Sequence, residues 1–164
     1  MMVTENMFPI TMNLGQARVK LIRQANKFDK QDIIEMMVAF KNESNIPELM
    51  ELHNPEYWDQ LLNTILAGAG IIFIEPNKGL VMALIAPSAW CNKTLQLYEL
   101  AWYVKPEFRN STVGYKLLKR YIEYGKELKQ SGRIKYFTIA KMVSSPDIKY
   151  EKFGFKKIDE NWIQ

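Results

Sequence analysis

A single α/β domain is the fold class this sequence predicts, and three observations lead to it. The chain has 164 residues, enough to bury one substantial core and too few for two comfortable domains. With 48% apolar and 24% charged residues it has an ordinary globular composition, which excludes disordered and low-complexity scaffolds. Its segments alternate between strand and helix periodicity in the order βααβββαβαβ, too mixed for a doubly wound parallel sheet and too helical for a barrel.

Each element has its own signal. Residues 1–17 show no sustained periodicity and read as a tail, and residues 18–24 alternate around Val19, Leu21 and Arg23 as a first strand does. A helix is then expected with Asp29 as N-cap, because Ile33, Met36, Met37 and Phe40 recur at helical spacing, and Asn42 to Asn45 should end it. Asn54-Pro55 starts a second helix: Asn caps orphan amides, and Pro at the first helical position loses no hydrogen bond. Tyr57, Trp58, Leu61, Leu62, Ile65 and Leu66 mark its buried side, and Gly68 or Gly70 its stop. Residues 71–75 and 80–85 are apolar runs joined by Pro76-Asn77-Lys78-Gly79, a hairpin signature. Asn92-Lys93 offers a further turn before the extended run 95–104, in which alternation places Leu97, Glu99, Ala101 and Tyr103 on one face. Past Pro106 a helix resumes near Ser111 or Thr112 with a stripe of Val113, Leu117, Leu118, Tyr121, Ile122 and Leu128, stopped at Gly132. Residues 134–142 read as a strand, Pro146 begins a short helix reaching Lys152, and residues 153–162 read as one or two closing strands.

Composition also narrows function. Cys91 is the single cysteine and His53 the single histidine, so an intramolecular disulfide, a thiolate cluster and a multi-histidine metal site are all excluded. A metal-free protein of a reducing, cytoplasmic compartment is expected. The longest stretch without a polar side chain, residues 65–74, is about half a membrane span, so no membrane role is expected. Residues 1–104 carry eight Lys or Arg against eleven Asp or Glu, a balance of −3, whereas residues 105–164 carry fourteen against seven, a balance of +7. That basic third is either a solvated surface or an attractor for a polyanion such as a nucleotide cofactor or nucleic acid.

The most informative stretch runs from Val104 through Lys105, Pro106, Glu107, Phe108, Arg109, Asn110, Ser111, Thr112, Val113 and Gly114 to Tyr115. A strand ends, the chain turns and a helix begins; the first amides of a helix lack internal partners and carry the positive end of its dipole, so such a junction can hold phosphate. Its structural alternative is an ordinary capped loop. A second stretch, Tyr150-Glu151-Lys152-Phe153-Gly154-Phe155, follows one amphipathic helix and one strand later. Together the two segments resemble the GNAT superfamily of acyl-CoA-dependent N-acyltransferases, over the chain from about Arg18 to its end. The family's V-x-P-x-x-R-G-x-G-x-G/A segment falls on Val104, Pro106, Arg109, Asn110, Thr112 and Gly114, and its Y-E-K-x-G-F ending on Tyr150 to Phe155. Asn110 and Thr112 stand where the family carries glycine. Asn tolerates positive φ, whereas the branched Thr crowds a backbone that should approach phosphate closely.

The resemblance implies a mixed, mostly antiparallel twisted sheet flanked by helices, forming one domain over residues 18–164. It implies acetyl transfer from acetyl-CoA to a primary amine by direct attack in a ternary complex, with no metal. Tyr103, Val104, Arg109, Asn110, Ser111, Thr112, Val113, Gly114 and Tyr115 would bind the cofactor, largely through backbone amides. A Lys-like amine with a pKa of ~10.4 is neutral in only about one molecule in two thousand at pH 7, so a base is useful, and Glu99 in its apolar strand matches the glutamate of some branches of the family. Tyr150 matches the tyrosine that protonates the departing thiolate. The rival for Glu99 is a salt-bridged strand residue, and for Tyr150 a packing residue beside Phe153 and Phe155. His53 reads as a loop or capping residue, and Cys91, with no His partner in view, argues against an acyl-cysteine mechanism. Two other functions stay open: a non-catalytic CoA-binding or interaction protein, and an acetyltransferase directed at aminoacyl-tRNA or a nucleobase. A homodimer is compatible with either, and the acceptor is not specified by these residues.

Overall fold

The computed structural model describes residues 22–163, so the expected tail and residues 18–21 of the expected first strand lie outside it. What remains of that strand is β1 (Arg23–Gln24). Asn26 then caps a single 3-10 turn, accepting from the Phe28 amide, while Asp29 reaches back to the Asn26 amide at 2.8 Å. Helix α1 (Lys30–Glu43) follows. Asp29 occupies its N-cap position without making the cap bond, because its carboxylate is taken by the Arg23 guanidinium at 2.7 and 2.8 Å. The expected Asp29 cap is therefore replaced by an Asn26 capping box one turn earlier.

A short turn of helix, α2 (Pro47–Met50), leads to α3 (Pro55–Thr64), where Asn54 caps the Tyr57 amide at 2.9 Å. The helix widens into a π-turn over Ile65–Ala69, and Gly68, with φ of +108°, ends it. Gly70 begins β2 (Gly70–Glu75), where a Cβ would stand 2.2 Å from the Ala83 carbonyl oxygen, so only glycine lets the strands meet there. β2 and β3 (Gly79–Ser88) form the expected hairpin, with Asn77 at φ +59° in the turn. Then come β4 (Cys91–Val104), α4 (Val113–Gln130) and β5 (Tyr136–Phe137).

The sheet has the order β1-β2-β3-β4-β5, antiparallel except for the parallel pair β4 and β5. Helices cover both faces, and the residues divide accordingly. On one face α1 and α3 bury Ile33, Met36, Leu62 and Ile65 against Ile72, Ile74, Leu80 and Met82. On the other, α4 buries Val113, Leu117, Tyr121 and Leu128 against Ile71, Phe73, Val81 and Ala83. The alternation Ile71, Ile72, Phe73, Ile74 along β2 supplies both cores in turn, as a strand covered on both sides must.

Several expectations give way. The turn before β4 is Ala89-Trp90 rather than Asn92-Lys93, because Ser88 pairs with Cys91, and residues 92–94, between the Cys91 and Leu95 pairs, bulge from the ladder instead. The strand expected over 134–142 pairs only at Tyr136–Phe137. The Pro146 helix is absent; a 3-10 turn over Tyr150–Phe153 stands near its end, and residues 154–163 form no strand. Tyr57, placed on the buried side of α3 by its spacing, is exposed, while Trp58 packs on the core.

Candidate functional site

The site begins with a fault in the ladder. Met82 pairs with Ala101 and Ala83 with Glu99, so Leu100 is an extra residue in β4. The bulge breaks the alternation that would place Leu97, Glu99, Ala101 and Tyr103 on one face. Leu97 belongs to the α4 core, whereas Ala101 and Tyr103 belong to the α1 core.

At the same level β4 and β5 part. The last backbone bond between them runs from the Thr138 amide to the Leu97 carbonyl at 3.0 Å, and two residues on the Ala140 amide donates instead to the Glu99 carboxylate at 2.8 Å. Glu99 thus terminates the ladder with a side chain where a backbone carbonyl would otherwise stand. It is 5% exposed, and burial pushes its pKa up to about 7 against the opposing pull of the Ala140 amide. A carboxyl that is half ionised at neutral pH can both accept and return a proton.

A cavity of about 490 Å³ opens along the parting strands and reaches both faces of the sheet. Of the residues predicted for the site, Glu99, Tyr103, Val104, Arg109, Ser111, Gly114, Tyr115 and Tyr150 line it. Asn110, Thr112 and Val113 do not, and Val113 is buried in the α4 core, which leaves it only a backbone role.

The start of α4 is the electropositive end of this cavity. Thr112 at the N-cap position makes no side-chain cap bond, and Ser111 Oγ, which donates to the Phe108 carbonyl at 2.6 Å, accepts from the Val113 amide at 3.3 Å and from no other amide of the turn. The amides of Gly114 and Tyr115, in the first turn, have no intrahelical acceptor and none among the described residues. A Cβ at Gly114 would meet Val104 at 3.6 Å and Trp102 at 3.8 Å, ordinary contacts. Packing within the chain therefore does not demand glycine there, and the missing methyl leaves room on the cavity side. Trp102 Nε1 is buried without a partner in the same wall. Orphan amides, space and an unpaired donor suit an anionic phosphate group with a pantetheine-like arm.

Arg109 is held in place. Its Nε donates to the Val104 carbonyl at 2.9 Å, its guanidinium pairs with Glu43 at the end of α1, and it lies 5.7 Å from the centre of the Tyr103 ring. The Tyr103 hydroxyl donates to the other Glu43 oxygen at 2.7 Å, and burial together with that carboxylate raises the phenol pKa to about 12. Glu43 went unnoticed in the sequence because its partners lie 60 and 66 residues away. Its one signal is that it continues the helical face of Met36 and Phe40.

Tyr150 stands on the opposite wall, half-buried. Its phenol pKa is raised first by burial and then by the negative charge of Glu99, so it keeps its proton at neutral pH. Its ring meets Phe155 edge to face at 6.3 Å. Ala140, Met142, Ser144, Ser145 and Ile148 complete this wall, from a segment too irregular to carry a periodic signal.

The comparisons with known proteins bear on the fold and the family. A search of the curated proteins finds no match to the chain. Among solved structures the fold is shared with AAC(6')-Iy in complex with a bisubstrate analogue, CoA-S-monomethyl-acetylneamine (TM-score 0.58, 16% identity, 87% of this chain and 95% of that one). It is shared with a predicted acetyltransferase with acetyl-CoA from Clostridium acetobutylicum (0.56, 21%, 87% and 93%). A GCN5-related N-acetyltransferase from Ralstonia eutropha JMP134 also shares it (0.62, 18%, 87% and 96%). At the sequence level, the profile described as Acetyltransferase (GNAT) family matches residues 27–155, and the chain belongs to that family.

Proposed function

We propose that this protein transfers an acetyl group from acetyl-CoA to a primary amine by direct attack in a ternary complex. The observation that carries the reading is the meeting of Glu99 and Tyr150 in one cavity whose mouth is the uncapped start of α4. Acetyl-CoA supplies the thioester carbon. The Gly114 and Tyr115 amides bind its pyrophosphate, and the parted strands receive the pantetheine arm. Glu99, ionised in about half the molecules at pH 7, takes a proton from the acceptor's ammonium and so frees the neutral amine that attacks the thioester carbon. As the C–N bond forms and the C–S bond breaks, Tyr150 gives its proton to the leaving sulfur, and the second proton that leaves the nitrogen restores the phenol through solvent.

The cavity reaches the α1 face at Phe40 and Glu43, so the acceptor enters there, opposite the cofactor. No helix among the described residues is long and apolar enough to cross a membrane, and the exposed free thiol of Cys91 suits a reducing, cytoplasmic setting.

The test has two stages. Acetyl-CoA at about a hundred times its Kd should stabilise the protein by about 2.7 kcal/mol, a melting shift of several degrees. Release of CoA thiol is then followed across a panel of amines. Stabilisation without turnover of any amine would favour a non-catalytic CoA-binding protein, which the replacement of two family glycines by Asn110 and Thr112 allows. An unshifted melting curve at millimolar acetyl-CoA would overturn both.

A further inference from the structure

The surplus of positive charge in residues 105–164 does not lie in the cofactor cavity. Arg109 is the only Lys or Arg among the described residues that lines it, and Glu43 already neutralises that one. A second, more open cavity of about 690 Å³ lies at the far end of α4. Lys93 of β4, Lys129 in the last turn of α4, and Arg133 and Lys135 of the loop before β5 all line it. No carboxylate lines this cavity, and none of the four cations has an ion-pair partner among the described residues. All four are exposed. The dipole of α4 accounts for a cation at Lys129 but not for the other three, which come from β4 and from beyond the helix end.

The four are held together by backbone. The Lys135 amide donates to the Leu95 carbonyl at 2.8 Å, and Gly132, at φ +74°, turns the chain out of α4 so that Arg133 can bond back to Leu128 at 3.0 Å. The neighbouring β3–β4 turn is fixed to the same region. Ser88 Oγ lies 2.8 Å from the Tyr136 hydroxyl and accepts from the Trp90 amide at 3.3 Å. Trp90, at the tip of that turn, is 93% exposed, a large aromatic face presented to solvent three residues from Lys93.

We propose that Lys93, Lys129, Arg133 and Lys135 form a docking surface for the phosphate backbone of single-stranded nucleic acid, with Trp90 as the stacking platform for one of its bases. Like-charged side chains around one cavity repel each other, and phosphates relieve that repulsion while releasing their own counterions. An exposed indole beside such a row is the second half of a single-strand site, because every base has a π-face to stack. An acidic protein segment would use the cations and leave Trp90 idle. The surface is separate from the acetyl-CoA cavity and stands or falls independently of acetyl transfer.

The probe is a fluorescein-labelled oligouridylate of about 20 nucleotides, read by anisotropy, with heparin as the polyanion that has no bases. Four phosphate contacts give a log K against log salt slope of about −2.8, so affinity should fall about fifty-fold between 50 and 200 mM salt. Lys129→Glu with Arg133→Glu should lower affinity and cut the slope to about −1.4, while the melting shift given by acetyl-CoA stays as in wild type. Trp90→Ala should weaken the oligonucleotide at least several-fold and leave heparin unchanged. Absence of binding at 50 mM salt, or binding indifferent to the charge reversals, overturns the proposal. If Trp90→Ala has no effect and heparin competes fully, the surface is a general polyanion site and the nucleic-acid assignment is wrong. Loss of the acetyl-CoA shift with oligonucleotide binding intact would instead count against the acetyl-transfer reading alone.

Discussion

Glu99 holds its position by substituting for the backbone: its carboxylate accepts the Ala140 amide where β4 and β5 have parted, in surroundings that raise its pKa to about 7. The raised value has a consequence for stability as well as for rate. An unfolded glutamate ionises near 4.3, so between that pH and 7 the folded chain keeps a proton that the unfolded chain has lost. Folding therefore loses stability as pH rises through this window, by about 4 kcal/mol in all, and the loss levels off above pH 7. Glu99→Gln carries no such charge, so its melting temperature should gain on wild type between pH 5 and pH 8. The same variant should lose rate at neutral pH and recover it as the amine deprotonates in alkaline solution. A uniform loss at every pH would assign Glu99 to positioning the acceptor. Tyr150→Phe removes the proton donor and little else, since the ring contact with Phe155 survives. We expect kcat to fall about a hundredfold or more with acetyl-CoA affinity nearly unchanged, and single-turnover measurements would separate the two.

At the scale of the element, the end of β4 and the last turn of α1 share one side chain, Arg109. Glu43 competes with any phosphate for that guanidinium, or else it presets the loop by holding it. The two roles have opposite signs. In the presetting role, which the Val104 carbonyl bond to Arg109 favours, Glu43→Gln loosens the loop and weakens acetyl-CoA about threefold to tenfold, with kcat little changed. Tighter acetyl-CoA binding in that variant, measured by calorimetry, would assign Glu43 to competition. Gly114→Ala tests the neighbouring amides. The methyl has room inside the chain and improves helix propensity by about 0.5–1 kcal/mol, so the free protein should melt higher while acetyl-CoA binds more weakly. This is also the scale at which the sequence was most readable. Asn54-Pro55, Pro76 to Gly79 and the stripe of α4 each carry local chemistry that needs no distant partner, and each forms where expected. The bulge at Leu100 has no such signal, because it is created by the register of β3 against β4. Glu43 and the 140–150 wall were unreadable for the same reason: their role is set by partners far along the chain.

Across the whole molecule, the position of Tyr150 is set by a row of aromatic rings that starts deep in the α4 core. Tyr121 meets Phe137 edge to face at 5.9 Å, Phe137 meets Phe155 at 5.5 Å, and Phe155 meets Tyr150 at 6.3 Å. The row matters because residues 138–149 form no helix or strand that could hold the 3-10 turn of Tyr150–Phe153 rigidly. Tyr121 is itself fixed, its hydroxyl donating to the Thr138 carbonyl at 2.5 Å. Facing this row, Gly125 of α4 lies against the Phe137 ring so closely that a Cβ would stand 2.7–2.8 Å from its carbons. Gly125→Ala must therefore push the ring aside. The overpacking costs about 1–3 kcal/mol and better helix propensity returns about 1, so the melting temperature should fall by only a few degrees. The displaced ring moves Phe155 and with it Tyr150, so kcat should fall well beyond what the loss of folded protein explains. Acetyl-CoA affinity should hold, because the cofactor amides lie about three helical turns away at the start of α4. A variant that keeps full kcat at temperatures where it is folded would show that Tyr150 is placed by its own loop and not by the row of rings.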